Sequence, residues 1–196
     1  MTPRLSLVLM FIGVDDTDSP DHMCTTFLAV ELIKEFREWD LIGMPRLVRL
    51  NPAVPWKTRG NAALAINIGR GRGDGRLIGE AGDHLVRAYP RSSQEPDQDE
   101  VLERASRVVE RWAQREHSDP GLVVLPRQPD GSLYRRAVTT IVEKKDALQA
   151  VEKAGGVHFQ MNGGRGIIGA ASAVAWRPHD RTYEVLTYRA SDRWGT

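Results

Sequence analysis

The feature that most constrains the fold is the apolar run over residues 5–14 (LSLVLMFIGV), which ends abruptly at Asp15 and Asp16. A membrane-spanning helix needs about 20 apolar residues, so a run of this length does not predict a membrane span. A short apolar run that ends in polar residues is typical of a strand buried on both faces of a sheet. We therefore predict a central first strand with a polar loop at its end.

Strand-like and helix-like patterns alternate along the rest of the chain. We expect further strands over residues 46–50, 63–68, 121–125, 157–161 and 183–189. The spacing of apolar residues predicts helices from Thr25 or Thr26 to about Trp39, over 77–89, 101–112 and 133–142, from Asp146 to about Lys153, and over 167–173. Residues 69–75 and 163–166 are predicted glycine turns, and 89–100 a loop. This interleaving predicts an α/β (or α+β) fold, a single domain with a mixed β-sheet flanked by helices.

The composition narrows the class of protein. The chain has 196 residues, of which 41% are hydrophobic and 27% charged, and its net charge is +1. These values are typical of a soluble globular protein and give no global electrostatic reason to expect nucleic-acid binding. The single cysteine excludes an internal disulfide framework and a multi-cysteine zinc site. It fits the reducing cytoplasm, and we expect a cytoplasmic protein without a membrane partner.

Three carboxylates follow the first predicted strand, at Asp15, Asp16 and Asp18. Neighbouring carboxylates raise the cost of ionising one another unless a cation or several hydrogen-bond donors lie among them. Their position suits a hard cation such as Mg²⁺, which shares its ligand shell with nucleotide phosphates. An ordinary turn is one alternative. A phosphatase of the haloacid-dehalogenase type, with its Asp-x-Asp signature, is another, although Pro20 stands where that signature usually has Thr or Val.

The acid cluster runs into Cys24, Thr25 and Thr26, where a helix is predicted to begin. A helix N-terminus favours a phosphate group, because its amide groups are unpaired and its dipole is positive there. A functional hydroxyl is one interpretation of these threonines. The alternative is structural, with a threonine as the N-cap and Cys24 as a small buried residue.

A basic segment follows, with Arg46 and Arg49 on a predicted strand and Lys57 and Arg59 in a loop that ends at Gly60 and Asn61. Cations that face clustered acids and a metal ion would form a phosphate-binding site, in which arginine can bind in bidentate fashion. The same charges would also suit a solvated strand edge.

Residues 164–169 (GRGIIG) satisfy the G-x-G-x-x-G pattern between a strand and a helix. The pattern is weak evidence for a dinucleotide site, since no complete βαβ unit or ribose-binding acid follows it. Glycines at a helix start still allow backbone amides to approach a phosphate. No G-x-x-x-x-G-K-[ST] sequence occurs, which excludes an ordinary P-loop ATPase, and the five histidines show no metal-ligand spacing.

Taken in order, residues 12–26, 45–63, 119–121, 163–173 and 188–196 resemble the archaeal isoleucine-tRNA 2-agmatinylcytidine synthetases. The resemblance covers residues 1–196 and only that family's N-terminal kinase domain, without its ferredoxin-like, OB-fold and zinc-ribbon domains. It implies ATP-dependent phosphorylation of the C2 oxygen of the wobble cytidine of an isoleucine tRNA, followed by displacement of the phosphate by agmatine. It also implies ATP, agmatine and tRNA as partners, with tRNA binding supported by additional domains or a partner subunit.

The same resemblance implies roles for single residues. Asp15, Asp16 and Asp18 would hold Mg²⁺ and the ATP phosphates and act in catalysis, and Thr25 would correspond to the family's autophosphorylated threonine. The basic loop and the glycine turn would line the nucleotide site, through Arg46, Lys57, Arg59, Asn61, Gly164, Arg165 and Gly166.

The chain departs from the family pattern at His22, where glycine is common, at Asp119, where we expect Asn, and in the long loop over 89–100. None of these departures removes an expected ligand. The alternative functions are a free-standing ATPase or autokinase with another acceptor, and a nucleotide-binding module that does not turn over.

Overall fold

One mixed β-sheet with helices on both faces forms the centre of the protein, in a computed structural model that describes residues 8–20, 23–58, 60–178 and 181–187. The strands are β1 (Met10–Asp15), β2 (Asp40–Ile42), β3 (Arg46–Arg49), β4 (Ala62–Gly69), β5 (Gly71–Arg72), β6 (Arg76–Ala81), β7 (His84–Tyr89), β8 (Arg91–Ser92), β9 (Gly121–Leu125) and β10 (Val157–Gln160). The helices are α1 (Thr25–Glu35), α2 (Gln98–Trp112), α3 (Ser132–Thr139), α4 (Lys144–Lys153) and α5 (Gly166–Ala175). The predicted fold class is confirmed.

The main sheet has the strand order β10-β9-β1-β4-β2-β7-β6, with β3 also paired to β4. β1 is antiparallel to both of its neighbours, with Gly13 opposite Ala65 of β4 and Val123 of β9. The pairing of β2 with β7 is parallel. The first strand is therefore central and buried, as predicted, although it begins at Met10, and residues 5–7 of the predicted run lie outside the described part of the chain. The rule for the carboxyl ends of parallel strands does not explain its acidic end, because neither neighbour of β1 is parallel to it.

Alternate residues of the central strands face two separate cores. Ile12 of β1 and Val124 of β9 pack with α1 and α2 on one face. Phe11 and Val123 pack with α3, α4 and α5 on the other face. The apolar run was predicted to be buried on both faces of the sheet. The helices that pack on each face explain why residues of both orientations along β1 are apolar.

Helix α5 lies unusually close to β1 and β9. A Cβ atom on Gly13 of β1 would lie 2.3 Å from the carbonyl oxygen of Ala170, and one on Gly121 of β9 would lie 2.0 Å from the amide nitrogen of Ile167. On the helix itself, a Cβ on Gly166 would lie 2.5 Å from the carbonyl oxygen of Asp15. Glycine at these positions is what allows the helix start to reach the end of β1.

The helix predicted over residues 77–89 is wrong, since this segment forms the β6–β7 hairpin. The apolar residues of the segment do not form one buried face: Leu77 and Leu85 are about half exposed, whereas Val86 is buried. The tight connection at Gly82, which has φ +69°, also breaks a helix. Within the predicted turn and loop around it, β5 and β8 form a short two-stranded sheet.

Other boundaries differ more modestly. α1 ends at Glu35 rather than near Trp39, α3 ends at Thr139, and α4 begins at Lys144, so that Asp146 lies in its first turn and is not its cap. The strand predicted over 183–189 is not formed over 183–187, and residues 188–189 lie outside the described part of the chain. In the described ranges, no helix combines the length and apolar character needed to cross a membrane.

We predict that Gly13→Ala lowers the free energy of unfolding by about 1–3 kcal/mol, the usual range for overpacking a buried site. The added methyl group would collide with the backbone of α5, which cannot move without disturbing the rest of its core. Unfolding in urea, followed by circular dichroism, measures the change.

Gly79→Ala is the matched control, because a Cβ there meets nothing within 4 Å. Equal stability of the two variants would contradict the close packing of α5 on β1.

Candidate active site

A cleft that is open to solvent lies where β1 ends and α5 begins. The described part of the loop between β3 and β4 and the end of α3 with the residues after it also contribute to its lining. Its polar side chains are those of Asp15, Asp16, Asp18, Thr25, Lys57, Thr58, Asn61, Thr140 and Arg165. The structure thus brings together eight residues predicted to form a site, since Gly166 also lines the cleft, and adds Thr58 and Thr140.

The three carboxylates of the acid loop face different partners. A Cβ on Gly169 of α5 would lie 1.8 Å from Oδ2 of Asp15, so that carboxylate rests directly on the helix. Asp16 adopts φ 55° and lies 3.7 Å (Oδ2) from Nε of Arg165. Oδ1 of Asp18 accepts a hydrogen bond of 2.9 Å from the Thr58 hydroxyl. Each of the three carboxylates therefore contacts a different part of the protein.

Burial disfavours the ionised forms of Asp15 and Asp16. Burial raises the pKa of the Asp15 carboxyl well above its ordinary value, and the charges of Asp16 and Asp18 add to the rise. Burial also raises the pKa of Asp16, while the charge of Arg165 opposes that rise. Each carboxylate thus favours a nearby positive charge.

The acid loop does not by itself form a three-carboxylate metal site. Within the ranges that the structure describes, no group of three or more His, Cys, Asp or Glu side chains is arranged to hold one metal ion. Magnesium typically needs only one or two carboxylates, together with water and substrate phosphates. The cleft therefore fits a Mg²⁺ ion that binds with a phosphate ligand, and does not fit a protein-only cage.

Thr25 begins α1 and lies at the cleft, where it is 6% exposed. The Thr17 hydroxyl donates a hydrogen bond of 3.2 Å to Oγ1 of Thr25, which leaves the proton of Thr25 for another acceptor. Oγ1 of Thr26 lies 2.9 Å from Sγ of Cys24. The prediction that Thr25 or Thr26 caps the helix is wrong: Cys24 is the N-cap, and it makes no capping hydrogen bond through its side chain.

Among its described residues, the loop between β3 and β4 supplies Lys57 as a cation to the cleft. Lys57 lines the cleft, and its Nζ donates to the carbonyl oxygen of Val54 at 3.3 Å. Asn61 also lines it, and its side chain donates to the carbonyl oxygen of Asn51 at 2.8 Å, which closes the base of the loop. Arg59, predicted to bind the cofactor, lies outside the described residues.

The structure does not bring Arg46 to the cleft, against the prediction that it binds the nucleotide. Its guanidinium donates to Oδ1 of Asn67 at 2.8 Å and to the carbonyl oxygen of Trp176 at 3.5 Å. Trp176 follows the C-terminal end of α5, whereas the cleft lies at the N-terminal end of that helix. Burial lowers the pKa of Arg46 to about 10. Arg46 therefore joins β3 to β4 and α5.

The glycine turn contributes the side chain of Arg165 to the cleft, and most of its backbone amides are already hydrogen-bonded. The amides of residues 163, 164, 166, 167 and 168 all donate hydrogen bonds within the protein. Gly164 has φ 61°, which the turn requires, and it is not among the residues that line the cleft. Gly166 lines the cleft, but its amide donates to the carbonyl oxygen of Asp119 at 2.8 Å. The segment therefore offers the guanidinium of Arg165 to an anion.

Several side chains at the cleft are not among the predicted site residues, although Asp119 belongs to the residues that carry the family resemblance. The ring of Trp56 faces the guanidinium of Arg165, with 5.4 Å from its centroid to Cζ. Asp119 binds Arg165 through Oδ2 at a distance of 2.8 Å. The apolar part of the lining, here called the apolar wall, consists of Leu50, Val54, Ala62, Ala137, Ile141, Val142 and Ile168. These side chains come from three separated parts of the chain, so only the fold brings them together.

The fold and the cleft define an α/β protein with a candidate anion-binding site. The acid loop, the Thr25 hydroxyl, Lys57 and Arg165 line that site. The family model of the TiaS TCKD domain matches residues 11–163, and that of the TiaS FLD domain matches residues 164–196. The chain belongs to the TiaS family. The boundary between the two matches falls just before α5, although α5 packs on β1 and β9. Our assignment of residues 1–196 to one kinase-like domain stays a prediction.

A relative from Thermoplasma volcanium, named as TiaS, the 2-agmatinylcytidine synthetase of an isoleucine tRNA, is 37% identical over 182 residues, which are 92% of this chain and 41% of the relative. A crystal structure of TiaS in complex with its isoleucine tRNA and ATP superposes with a TM-score of 0.77 at 31% identity, over 96% of this chain and 41% of that one. A complex of TiaS with the same tRNA, AMPCPP and agmatine gives a TM-score of 0.75 at 28% identity, with coverages of 96% and 41%. The chain thus spans about two fifths of the length of these relatives.

Proposed function

We propose that this chain performs the ATP-dependent step of 2-agmatinylcytidine synthesis on an isoleucine tRNA. The observation that carries the proposal is the cleft, which places three carboxylates, the Thr25 hydroxyl, Lys57 and Arg165 around one space. Similar TiaS proteins form complexes with an isoleucine tRNA, ATP and agmatine. We propose the same three partners for this chain, in the cytoplasm, with additional domains or a partner subunit contributing to tRNA binding.

In the proposed reaction, the γ-phosphoryl group of ATP passes to the C2 oxygen of the wobble cytidine and ADP leaves. The amine of agmatine then attacks C2, and the oxygen departs with the phosphate. The C2 oxygen is a poor leaving group until it is phosphorylated. Phosphoryl transfer depends mainly on positioning and on neutralisation of charge, which charged side chains at fixed positions can supply.

The residues of the cleft are suited to positioning the phosphates and to neutralising their charge. Lys57 and Arg165 offer positive charge to the phosphates, and α1 directs the positive end of its dipole to the cleft at Thr25. One or two of the carboxylates of Asp15, Asp16 and Asp18 would hold Mg²⁺, with water and the ATP phosphates as its further ligands. When bound, the ion would neutralise charge on the phosphates. The apolar wall, which includes Ile141, would exclude water from its part of the cleft.

We predict that ATP binding depends on magnesium and that Asp16→Asn raises the Kd for Mg-ATP by at least about tenfold, the usual cost of disturbing a metal's ligand set. Isothermal titration calorimetry with ATP, with and without magnesium, measures the effect. Affinity that changes neither with metal nor with Asp16→Asn would contradict the assignment of these acids.

Arg46→Gln is the control for this experiment. Arg46 lies at the other end of α5, so its loss should reduce stability and leave the Kd for Mg-ATP unchanged.

We predict that incubation with Mg-ATP places a phosphate on Thr25 and not on Thr26. The Thr25 hydroxyl lies at the cleft and receives the hydrogen bond from Thr17, whereas Thr26 contacts Cys24. Intact mass and peptide mapping locate the label. Thr25→Ala should abolish it at a cost of about 1 kcal/mol in stability, the typical value of one lost hydrogen bond.

Thr26→Ala is the matched control and should keep the label. ATP that binds without phosphorylating Thr25 would leave Thr25 a structural residue at the start of α1.

We also predict that this chain binds tRNA weakly on its own. Its net charge of +1 offers little counterion release, which supplies most non-specific affinity for nucleic acids. Fluorescence anisotropy with labelled tRNA at physiological salt measures the affinity, with an unrelated RNA duplex as the control. Submicromolar binding of the tRNA would refute the prediction.

A free-standing autokinase with another acceptor stays the second candidate, favoured by the position of the Thr25 hydroxyl at the cleft. ATP turnover measured with and without tRNA and agmatine separates the two. Turnover that requires both compounds supports tRNA modification, and turnover indifferent to them supports the autokinase.

A further inference from the structure

Asp119 holds both ends of the glycine turn that begins α5. It stands two residues before β9, and its Oδ1 accepts a hydrogen bond of 2.9 Å from the amide of Gly163. Its main-chain oxygen accepts one of 2.8 Å from the amide of Gly166. A single residue therefore fixes the turn on each side of Arg165.

Asp119 also connects the turn to the acid loop. Its Oδ2 lies 2.8 Å from Nη2 of Arg165, and its backbone amide donates a hydrogen bond to the Asp16 carboxylate. Nε of Arg165 lies 3.7 Å from Oδ2 of Asp16, and Trp56 covers one face of the guanidinium. The Asp119 carboxylate thus binds one edge of the Arg165 guanidinium, and the Trp56 ring covers one of its faces. The Asp16 carboxylate lies farther from it.

The guanidinium retains donors for another ligand. An arginine carries five N–H groups in a rigid fork, and Asp119 engages it through Nη2. Nε of Arg165 is buried and has no hydrogen-bond partner among the described residues. Arg165 lines the cleft and is 37% exposed, so an anion in the cleft can reach it. The planar fork favours bidentate binding of a phosphate.

Asp119 and Asp16 both attract the guanidinium of Arg165, from different positions. At the shorter distance, Asp119 holds the cation against the turn and keeps it from closing on Asp16. Without the charge of Asp119, the nearest carboxylate to Arg165 would be that of Asp16. A closer ion pair there than the present 3.7 Å would occupy both the cation and one acid of the cleft.

We infer that Asp119 is the positioning residue of the cleft: its carboxylate orients Arg165 towards a polyphosphate ligand and holds the ion pair between Arg165 and Asp16 at 3.7 Å, so that the guanidinium does not close on the Asp16 carboxylate. This inference rests on the proposed function for the identity of the ligand, and on the contacts of Asp119 for its mechanism. The inference depends on the charge of Asp119 and applies to this chain, since Asn is the residue expected here from the family pattern. An asparagine at this position could still accept the hydrogen bond from Gly163 but would not balance the guanidinium.

A double-mutant cycle tests the inference, using Asp119→Asn, Arg165→Gln and the double variant of the full chain. The Kd is measured by calorimetry for ATP and, separately, for inorganic tripolyphosphate. Asp119→Asn should raise both Kd values by about tenfold in the presence of Arg165 and have no effect in the Arg165→Gln background, since residues that share one interaction are not additive. Unfolding in urea, measured for each variant, records any structural effect separately.

Asp74→Asn is the matched control, because it removes the same charge from an exposed residue in the turn before β6. It should change neither Kd. Additive effects of Asp119→Asn and Arg165→Gln on binding would overturn the inference. So would a loss of stability in Asp119→Asn without a change in Kd, since Asp119 would then be only a structural brace of the turn.

The two ligands distinguish this inference from the proposed function. Coupled loss of tripolyphosphate binding in a chain that does not bind ATP would support the positioning role and refute the ATP-dependent function. A chain that binds neither compound would overturn both. ATP binding with no coupling between Asp119 and Arg165 would leave the proposed function standing and refute the inference alone.

Discussion

The close approach of α5 to β1 and β9 is the constraint on which the cleft depends. Gly13, Gly121 and Gly166 remove the side chains that would separate the helix from the two strands. The helix therefore begins directly beside the last residue of β1. This contact places Arg165, one residue before the helix, beside Asp16, one residue after the strand. Interiors are close-packed, so a shift of the helix by the width of a methyl group would be transmitted to both residues.

The same contact explains how a cluster of like charge is tolerated in the fold. Each acid has a different neighbour: the helix surface at Gly169 for Asp15, the guanidinium of Arg165 for Asp16, and the Thr58 hydroxyl for Asp18. Burial still disfavours ionisation of the first two, as their raised pKa values indicate. A site of this kind gains from any added positive charge, which is the property that a magnesium–nucleotide site requires.

Much of this fold could be predicted from local pattern, and the errors have identifiable causes. The helix predicted over 101–112 has a continuous apolar stripe, although it begins at Gln98 within the predicted loop, and the strand over Gly121–Leu125 is wholly buried, so the sequence indicates both elements. The β6–β7 hairpin was missed because its apolar residues also fit a helical period, and only burial against α1 decides between the two. Arg46 was misplaced because strand alternation does not reveal which end of α5 it will face. Asp119 and Trp56 meet Arg165 only through long-range packing, which no local pattern encodes.

The glycine-rich segment before α5 shows why a motif has to be judged by where its hydrogen bonds go. Its spacing matches a phosphate-binding fingerprint, in which backbone amides contact the ligand. Here the amides at residues 163, 164, 166, 167 and 168 already have protein acceptors, so they cannot also bind an anion without breaking those bonds. The glycines serve the turn and the helix–sheet contact instead. The anion-binding capacity of the segment therefore resides in one side chain, Arg165, whose orientation depends on an acid from another part of the chain.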